Sequence, residues 1–449
     1  MTLRKRIALI LSGLVVFVLA GPVIIFIAQG YSFDFQTNRL VSSGTLVIKT
    51  EPRGAEVKIK GQAALKTPLT KRFVQPGDYF VEISKDDYFP WQKRFSILPS
   101  QVTFLPKQNA SIALFRKSPS EIRNQQSING IYSSANSIFY LSDSGHQIYR
   151  LGFGLENPVS VASTTTAFNG AEIINSRMQV DRIEFLLSSH GTLWFVSGAQ
   201  AKPFPSLAHA DFGHGRETVL GINARSNLVE VGSATSTVLA KDVLSFSKAG
   251  NDLYFISRLA SGESVLYYQR SNNGAKTMTL IPEFNSAKII VSPQNQIYVL
   301  LDTNLYEVNP VRELEVAPPL GKDGFSNEVN QNLTKIRSGV NDAYWDEAGD
   351  LLAYGNEHEF WIYNPLSSAS NQLLVRSTTA IASPVYHQST GYAFWIEGQE
   401  IKAIEVDGSG QPNVYTLLRV TDPKKIIVND LGNTLAVLDG QTLHLFQIR

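Results

Sequence analysis

From residue 119 to 449 one pattern recurs: an alternating stretch, a polar turn, an apolar stretch, a short turn and a further alternating stretch. It is clearest in "SINGIYSSANSIFYLSDSGHQIYRLG" (127–152), "RMQVDRIEFLLSSHGTLWFVSG" (177–198), "DVLSFSKAGNDLYFISR" (242–258) and "KIIVSPQNQIYVLLDTNLYEVNP" (288–310). It returns at 338–365, 382–408 and 424–449, with a degenerate copy at 210–232. The copies centre on Ile138, Ile183, Thr218, Leu253, Ile297, Leu351, Tyr392 and Leu435, about 42 residues apart. A unit of that length cannot bury its own faces. It stacks on its neighbours in a ring, which is the arithmetic of a β-propeller. Eight copies predict eight blades, and the weak third copy leaves seven open. The longer gaps near 153–175 and 311–337 read as loops or an irregular blade.

A chain of 449 residues has room for two or three domains. With 43% hydrophobic and 18% charged residues it belongs with folded proteins, not disordered ones. It contains no cysteine, which excludes disulfides, acylation of an N-terminal Cys and thiolate metal sites. The net charge of +1 gives no reason to expect a nucleic-acid partner.

The N-terminus sets the location. Arg4, Lys5 and Arg6 precede "IALILSGLVVFVLAGPVIIFIA" (7–28), which carries no charge. A helix of that length rises roughly 33 Å, enough to cross a bilayer core. The basic cluster predicts a cytoplasmic N-terminus and an extracytoplasmic bulk. Tyr31, Phe33 and Phe35 follow as an interfacial belt. The rival reading is a signal peptide cleaved after Ala20, in "VLAG". The apolar run continues to Ala28, so a retained single-pass anchor is the expectation.

Between anchor and repeats, residues 31–118 form a separate all-β unit. "GTLVIKT", "AEVKIKG" and "GDYFVEIS" alternate with period two, one face wet and one buried, as in a small antiparallel sandwich. This unit holds 14 Lys and Arg against 7 Asp and Glu, a net +7. With +3 at residues 1–30, residues 119–449 carry −9, so near-neutrality hides two opposed parts.

The order of turns in this unit resembles the PEGA domain family. "GTLVIKTEPRGAEVKIKG", "KTPL" (66–69), "QPGDYFVEI" (75–83) and "DDYFPWQKRFSI" (86–97) carry the likeness. Its signature residues here are Pro52, Gly54, Ala55, Gly61, Thr67, Pro68, Pro76, Gly77, Tyr79, Val81 and Tyr88. Arg53 stands where the family has Glu, and Asp87 where Gly usually precedes the aromatic. Pro52 and Gly54 predict a tight turn with Arg53 at its wet tip. The resemblance implies a surface or interaction module. Residues 119–449 resemble Tol-type or WD-type propeller repeats at the level of pattern, in "VSPQNQIYVLL" and "YWDEAGDLLAYG".

Motifs for chemistry are sparse. The seven histidines include no H-E-x-x-H pair. His209 and His214 flank Asp211 in a segment that reads as a polar loop before a metal site. "SNNGAKTMT" lacks the glycine of a phosphate loop, "DEAGD" lacks the order of a calcium loop, and no G-x-S-x-G elbow occurs. No catalytic, metal or cofactor site is expected. Core packing is the favoured reading of Trp91, in "YFPWQK", and a solvated turn tip that of Arg53, with surface binding as the alternative for both. The composite expectation is a non-enzymatic scaffold or binding protein of a prokaryotic envelope, anchored in the membrane. Its partner would be an anionic wall polymer, a polysaccharide, a surface layer or a protein. Two rivals stay open. One is a carbohydrate-active propeller enzyme, with carboxylates such as Asp346, Glu357, Glu397 and Glu405 meeting in the channel. The other is a sensor or assembly factor that docks a protein.

Overall fold

The computed structural model of the chain describes all residues except 1–2, 29, 35–38, 60–62, 107–110, 126, 129, 135, 143, 155, 169, 179–181, 216, 233–234, 271–273, 310–331, 346–350, 366–370 and 407–409. Side chains are also left undescribed at 3–10, 27–28, 32–34 and 39–40. Arg4, Lys5 and Arg6, with Phe33 and Phe35, therefore contribute no described side chain, and Gly61 and Asp346 lie outside the described residues.

One helix, Leu3–Ala28, opens the chain and carries Pro22 within it. Its side chains are described from 11 to 26, and the large apolar ones there lie exposed on every face, from Leu11 and Leu14 to Ile25 and Phe26. Among the described residues no helix is long and apolar enough to cross a membrane. Everything else is β. A hairpin pairs Tyr31–Asp34 with Arg39–Ser42, and Tyr31 meets Phe26 edge-on at 5.7 Å.

The small unit follows. Strands Leu65–Lys66, Glu56–Ile59, Gly77–Ser84 and Trp91–Ile97 form an antiparallel sheet. Alternation places Val57, Ile59, Val81, Ile83, Trp91 and Ile97 inward, where they bury together with Leu46 and Ile48. Each such residue is worth about 1.5–3 kcal/mol in area removed from water. The expectation of a purely antiparallel sandwich is corrected here. Val102–Leu105 runs parallel to Gly44–Ile48, and Ile112–Ala113 parallel to Thr50–Glu51. After Ile97 the chain crosses over instead of making a hairpin, then runs back alongside its own first strands. The purely antiparallel ladder is lost because a crossover, not a turn, joins these strands.

Eight four-stranded antiparallel sheets follow. The first runs through Ile131–Ser134, Ser137–Leu141, Gln147–Gly152 and Val159–Ser163. The second starts at Glu172–Met178, the third at Ala208–Phe212, the fourth at Val243–Ala249 and the fifth at Ala287–Val291. The sixth starts at Asp342–Trp345 and the seventh at Ile381–His387. The eighth takes Pro423–Val428, Thr434–Asp439 and Thr442–Gln447 from late in the chain and Ser120–Gln125 from early in it. The degenerate copy at 210–232 is thus the core of a complete sheet.

Each sheet packs its apolar middle strands on the next. Phe139 of the first meets Phe185 of the second at 5.3 Å, and Phe195 meets Phe212 of the third at 6.2 Å. Leu220 and Leu253 join the third to the fourth, Ile256 and Val299 the fourth to the fifth. Tyr298 stacks on Trp345 of the sixth at 5.5 Å. Phe360 and Trp395 join the sixth to the seventh, Phe394 and Leu435 the seventh to the eighth, and Leu443 and Ile138 the eighth to the first. The sequence of interfaces returns to its start, so the sheets form a closed, propeller-like ring.

Candidate functional site

Two built features join elements far apart in the chain. The first is the joint between the small unit and the ring. In strand Trp91–Ile97 the buried positions are Trp91, Lys93 and Ile97, so an ammonium shares the apolar face. Lys93 reaches Glu405 of the seventh sheet at 3.1 Å, with side-chain exposures of 0% and 5%. The Trp91 indole N–H donates to the same Glu405 oxygen at 3.2 Å. Asn413 donates to the other Glu405 oxygen at 2.9 Å and to Gln92 O at 3.1 Å, and accepts from Gln92 N–H at 3.2 Å. Its amide therefore completes Gln92 as a neighbouring strand would. Around this polar core lie Phe89 stacked on Tyr415 at 5.3 Å, and Phe115, which meets Tyr392 at 4.9 Å and Phe394 at 5.8 Å. Arg449 closes the edge with an ion pair to Glu51.

Trp91 is accordingly corrected as a surface-binding candidate. It is fully buried in the small unit's own core, with its indole N–H turned to Glu405 of the ring. The missed residues are Lys93 and Asn413, and the signal for the first was present: a lysine in register with two buried apolar positions demands a buried anion.

The second feature runs around the ring axis. The first strands of successive sheets lie side by side there, and polar side chains tie them together. Lys425 Nζ donates to Ile131 O at 3.0 Å, joining the eighth sheet to the first. Tyr132 donates to Asn175 at 3.0 Å, and Asn175 to Asp211 at 2.7 Å. Lys248 donates to Phe212 O at 2.9 Å and Gly213 O at 3.0 Å. Tyr344 donates to Pro384 O at 2.8 Å, and His387 Nε2 lies 2.8 Å from Asn429 O. Because that carbonyl only accepts, Nε2 carries the proton, leaving Nδ1 to accept from Thr390 at 3.0 Å.

Burial sets the electrostatics of this girdle. It raises the Asp211 carboxyl, against the pull of the Phe212 N–H, Lys248, Asn175 and Arg177. Burial likewise lowers the Lys248 and Lys425 ammonium groups and the His387 imidazole. Perturbed groups gathered in one place mark a candidate site, although structural networks perturb them too.

A cleft of about 660 Å³ opens where the fourth, fifth and sixth sheets meet this girdle. Lys248, Asp252, Lys288, Asn295, Tyr344 and Trp345 line it, and Lys288 pairs with Asp342 at 2.6 Å. Its size suits a small polar ligand or an extended segment of a larger one.

The remaining candidates lie apart. Arg53 is exposed at the tip of its turn, with Gly54 at φ +78° and Lys85 Nζ on the Arg53 carbonyl at 3.0 Å. Thr67 holds that turn: its backbone bonds Gly54 and Ala55, and its hydroxyl accepts from Ala55 N–H at 3.0 Å. Thr50 donates to Pro52 O at 2.8 Å, so the Thr67 hydroxyl donates to Thr50. Pro68 is exposed beside it, while Pro76, Gly77 and Tyr79 shape the next turn, with Tyr79 donating to Gln75 O at 2.8 Å. Asp87 adopts φ +66°, which accounts for the glycine usual there. Of the carboxylates considered for catalysis, Glu405 serves the joint, Glu397 pairs with Lys402 at 2.8 Å, and Glu357 is exposed on a turn. His214 turns to Glu230 at 3.4 Å instead of toward His209. Among the described residues no three His, Asp or Glu are grouped to hold a metal.

The PEGA domain family matches residues 43–108. No curated protein matches the chain. The C-terminal WD40 domain of Sif2 is similar in fold, with 12% identity and a TM-score of 0.50 over 74% of this chain and 99% of that one. The Dos1 propeller matches at 9% identity and TM-score 0.48, over 73% and 95%. A computationally designed protein, Ika8, matches at 10% and 0.46, over 72% and 97%.

Proposed function

We propose that this chain is a membrane-anchored, extracytoplasmic binding scaffold of a prokaryotic envelope. Its PEGA domain lies at the bilayer and an eight-bladed propeller projects beyond it. The observation that carries the reading is the helix Leu3–Ala28, whose large side chains from Leu11 to Phe26 are apolar and exposed on all faces, with Tyr31 meeting Phe26 at its end. In water such a surface is strongly unfavourable; hydrocarbon is the solvent that suits it. Arg4, Lys5 and Arg6 orient it with the N-terminus in the cytoplasm. The joint at Glu405 then carries the ring as one body with the membrane-proximal domain, and the axial cleft offers the ring's binding surface. Catalysis has no support of equal weight: of the carboxylates considered for it that are described, Glu405 and Glu397 are paired with lysines and Glu357 is exposed on a turn.

The test is extraction. Full-length chain in membranes should resist alkaline carbonate and high salt, and externally added protease should reach the ring only from the extracytoplasmic side. Release by carbonate would end the anchor reading. The basic PEGA domain should add a salt-sensitive contact with anionic vesicles or wall polymer, each surface charge worth about 1 kcal/mol and screened beyond about 10 Å at 0.1 M salt. Recognition in the ring is best probed by substitution in the cleft, since a fragment beginning at 119 would remove Phe115 from the ring's core.

A further inference from the structure

The end of the PEGA domain nearest the helix carries an apolar rim that the domain's own core leaves unused. Ser43 N–H donates to Gly30 O at 2.8 Å, and its hydroxyl bonds the same carbonyl, so residue 43 sits within two residues of the helix end. Three segments converge there. Gly44 pairs with Val74 at the end of strand Leu69–Val74. Ser100 N–H donates to Ser43 O at 3.1 Å, and Thr45 N–H to Gln101 O at 2.9 Å. A Cβ on Gly44 would fall 2.5 Å from Ile97 and 2.8 Å from Leu98 O, so only glycine lets these loops close so tightly.

At this end Phe73 is 50% exposed, Leu98 50% and Val102 52%. Phe73 holds φ +56° and Ser100 φ +57°, conformations a bulky residue rarely adopts. The phenyl ring is held outward although Val74 beside it is buried. Arg72, also exposed, stands next to it. Apolar side chains with a neighbouring cation, fixed on tight loops at a helix end, have the composition of an interfacial membrane contact.

Resting on the anchor reading, we propose that Phe73, Leu98 and Val102 dip into the bilayer interface, with Arg72 at the headgroup phosphates. The helix and this rim give the domain two separate footings on the membrane, so the PEGA domain and the joined ring stand at a fixed tilt.

The chain has no cysteine, so single reporters can be placed cleanly. Full-length Phe73→Cys, Leu98→Cys, Val102→Cys, Val16→Cys and Val238→Cys would each carry an environment-sensitive fluorophore in vesicles with brominated acyl chains. Val238 is exposed on the outer strand of the third sheet and serves as the aqueous control. All five positions are exposed, so substitution spares the core, and unchanged melting checks this. The expected result is blue-shifted, bromine-quenched emission at 16, 73, 98 and 102, with unquenched emission at 238. Quenching at 16 with water-like emission at 73, 98 and 102 would overturn the rim while the anchor stands. Water-like emission at 16 would overturn the anchor and the rim with it.

Discussion

Thr67 shows how much one small side chain can hold. Its backbone and hydroxyl together satisfy Gly54, Ala55 and Thr50, so the turn bearing Arg53 is fastened from one point. Thr67→Val keeps the shape and removes the hydroxyl. It should cost about 1–3 kcal/mol in denaturant melts, because the Ala55 N–H is left buried without a partner. Glu405→Gln should cost about 3–5 kcal/mol, because it removes the buried counter-charge of the Lys93 ammonium. Adding Lys93→Met should recover much of that loss, and a double variant no better than Glu405→Gln would refute the pairing. His387 gives a pH signature. Burial holds its folded value below the ordinary 6.5, so as pH falls through 6.5 the unfolded chain takes up the proton first and stability drops. His387→Gln keeps a donor for Asn429 and should flatten the melting temperature between about pH 7 and 5. The turn at Pro52 and Gly54 was legible in sequence because turn chemistry is local. The partner of Lys93 was not: alternation reports which face of a strand is buried, not which distant carboxylate meets it there.

At the level of strands, the second strand of each sheet is buried on both faces, while the third alternates between buried and half-buried positions. Ile297–Leu301 and Thr434–Asp439 stand out as apolar runs for that reason. The outermost strands have one wet face and an open edge. Ser236–Ala240 and Ser120–Gln125 therefore read as polar connection, which is why the sequence pattern shows three stretches where the fold has four strands. The closing strand escaped notice for a second reason. Its partner lies more than three hundred positions away: Glu121 meets His444 at a separation of 323. Deleting 120–125 should expose the edge of Thr442–Gln447, and light scattering should register concentration-dependent association. A monomeric, fully cooperative variant would show that the eighth sheet does not need its fourth strand.

For the molecule as a whole, charge is divided by domain, +7 on residues 31–118 and −9 on 119–449. The joint sets the two parts side by side through the buried Lys93–Glu405 pair, the Arg449–Glu51 pair at its edge and an aromatic cluster. The closed ring also imposes an order in time. Ser120–Gln125 emerges early in synthesis, yet among the described residues its ladder partner is Thr442–Gln447, and Phe115 packs among Tyr392, Phe394 and Tyr415. While the intervening sheets are being made, that early segment has nowhere to dock. That strand stays unpaired until the last sheet is made, so a stall late in translation should leave the whole ring open, not merely one sheet short.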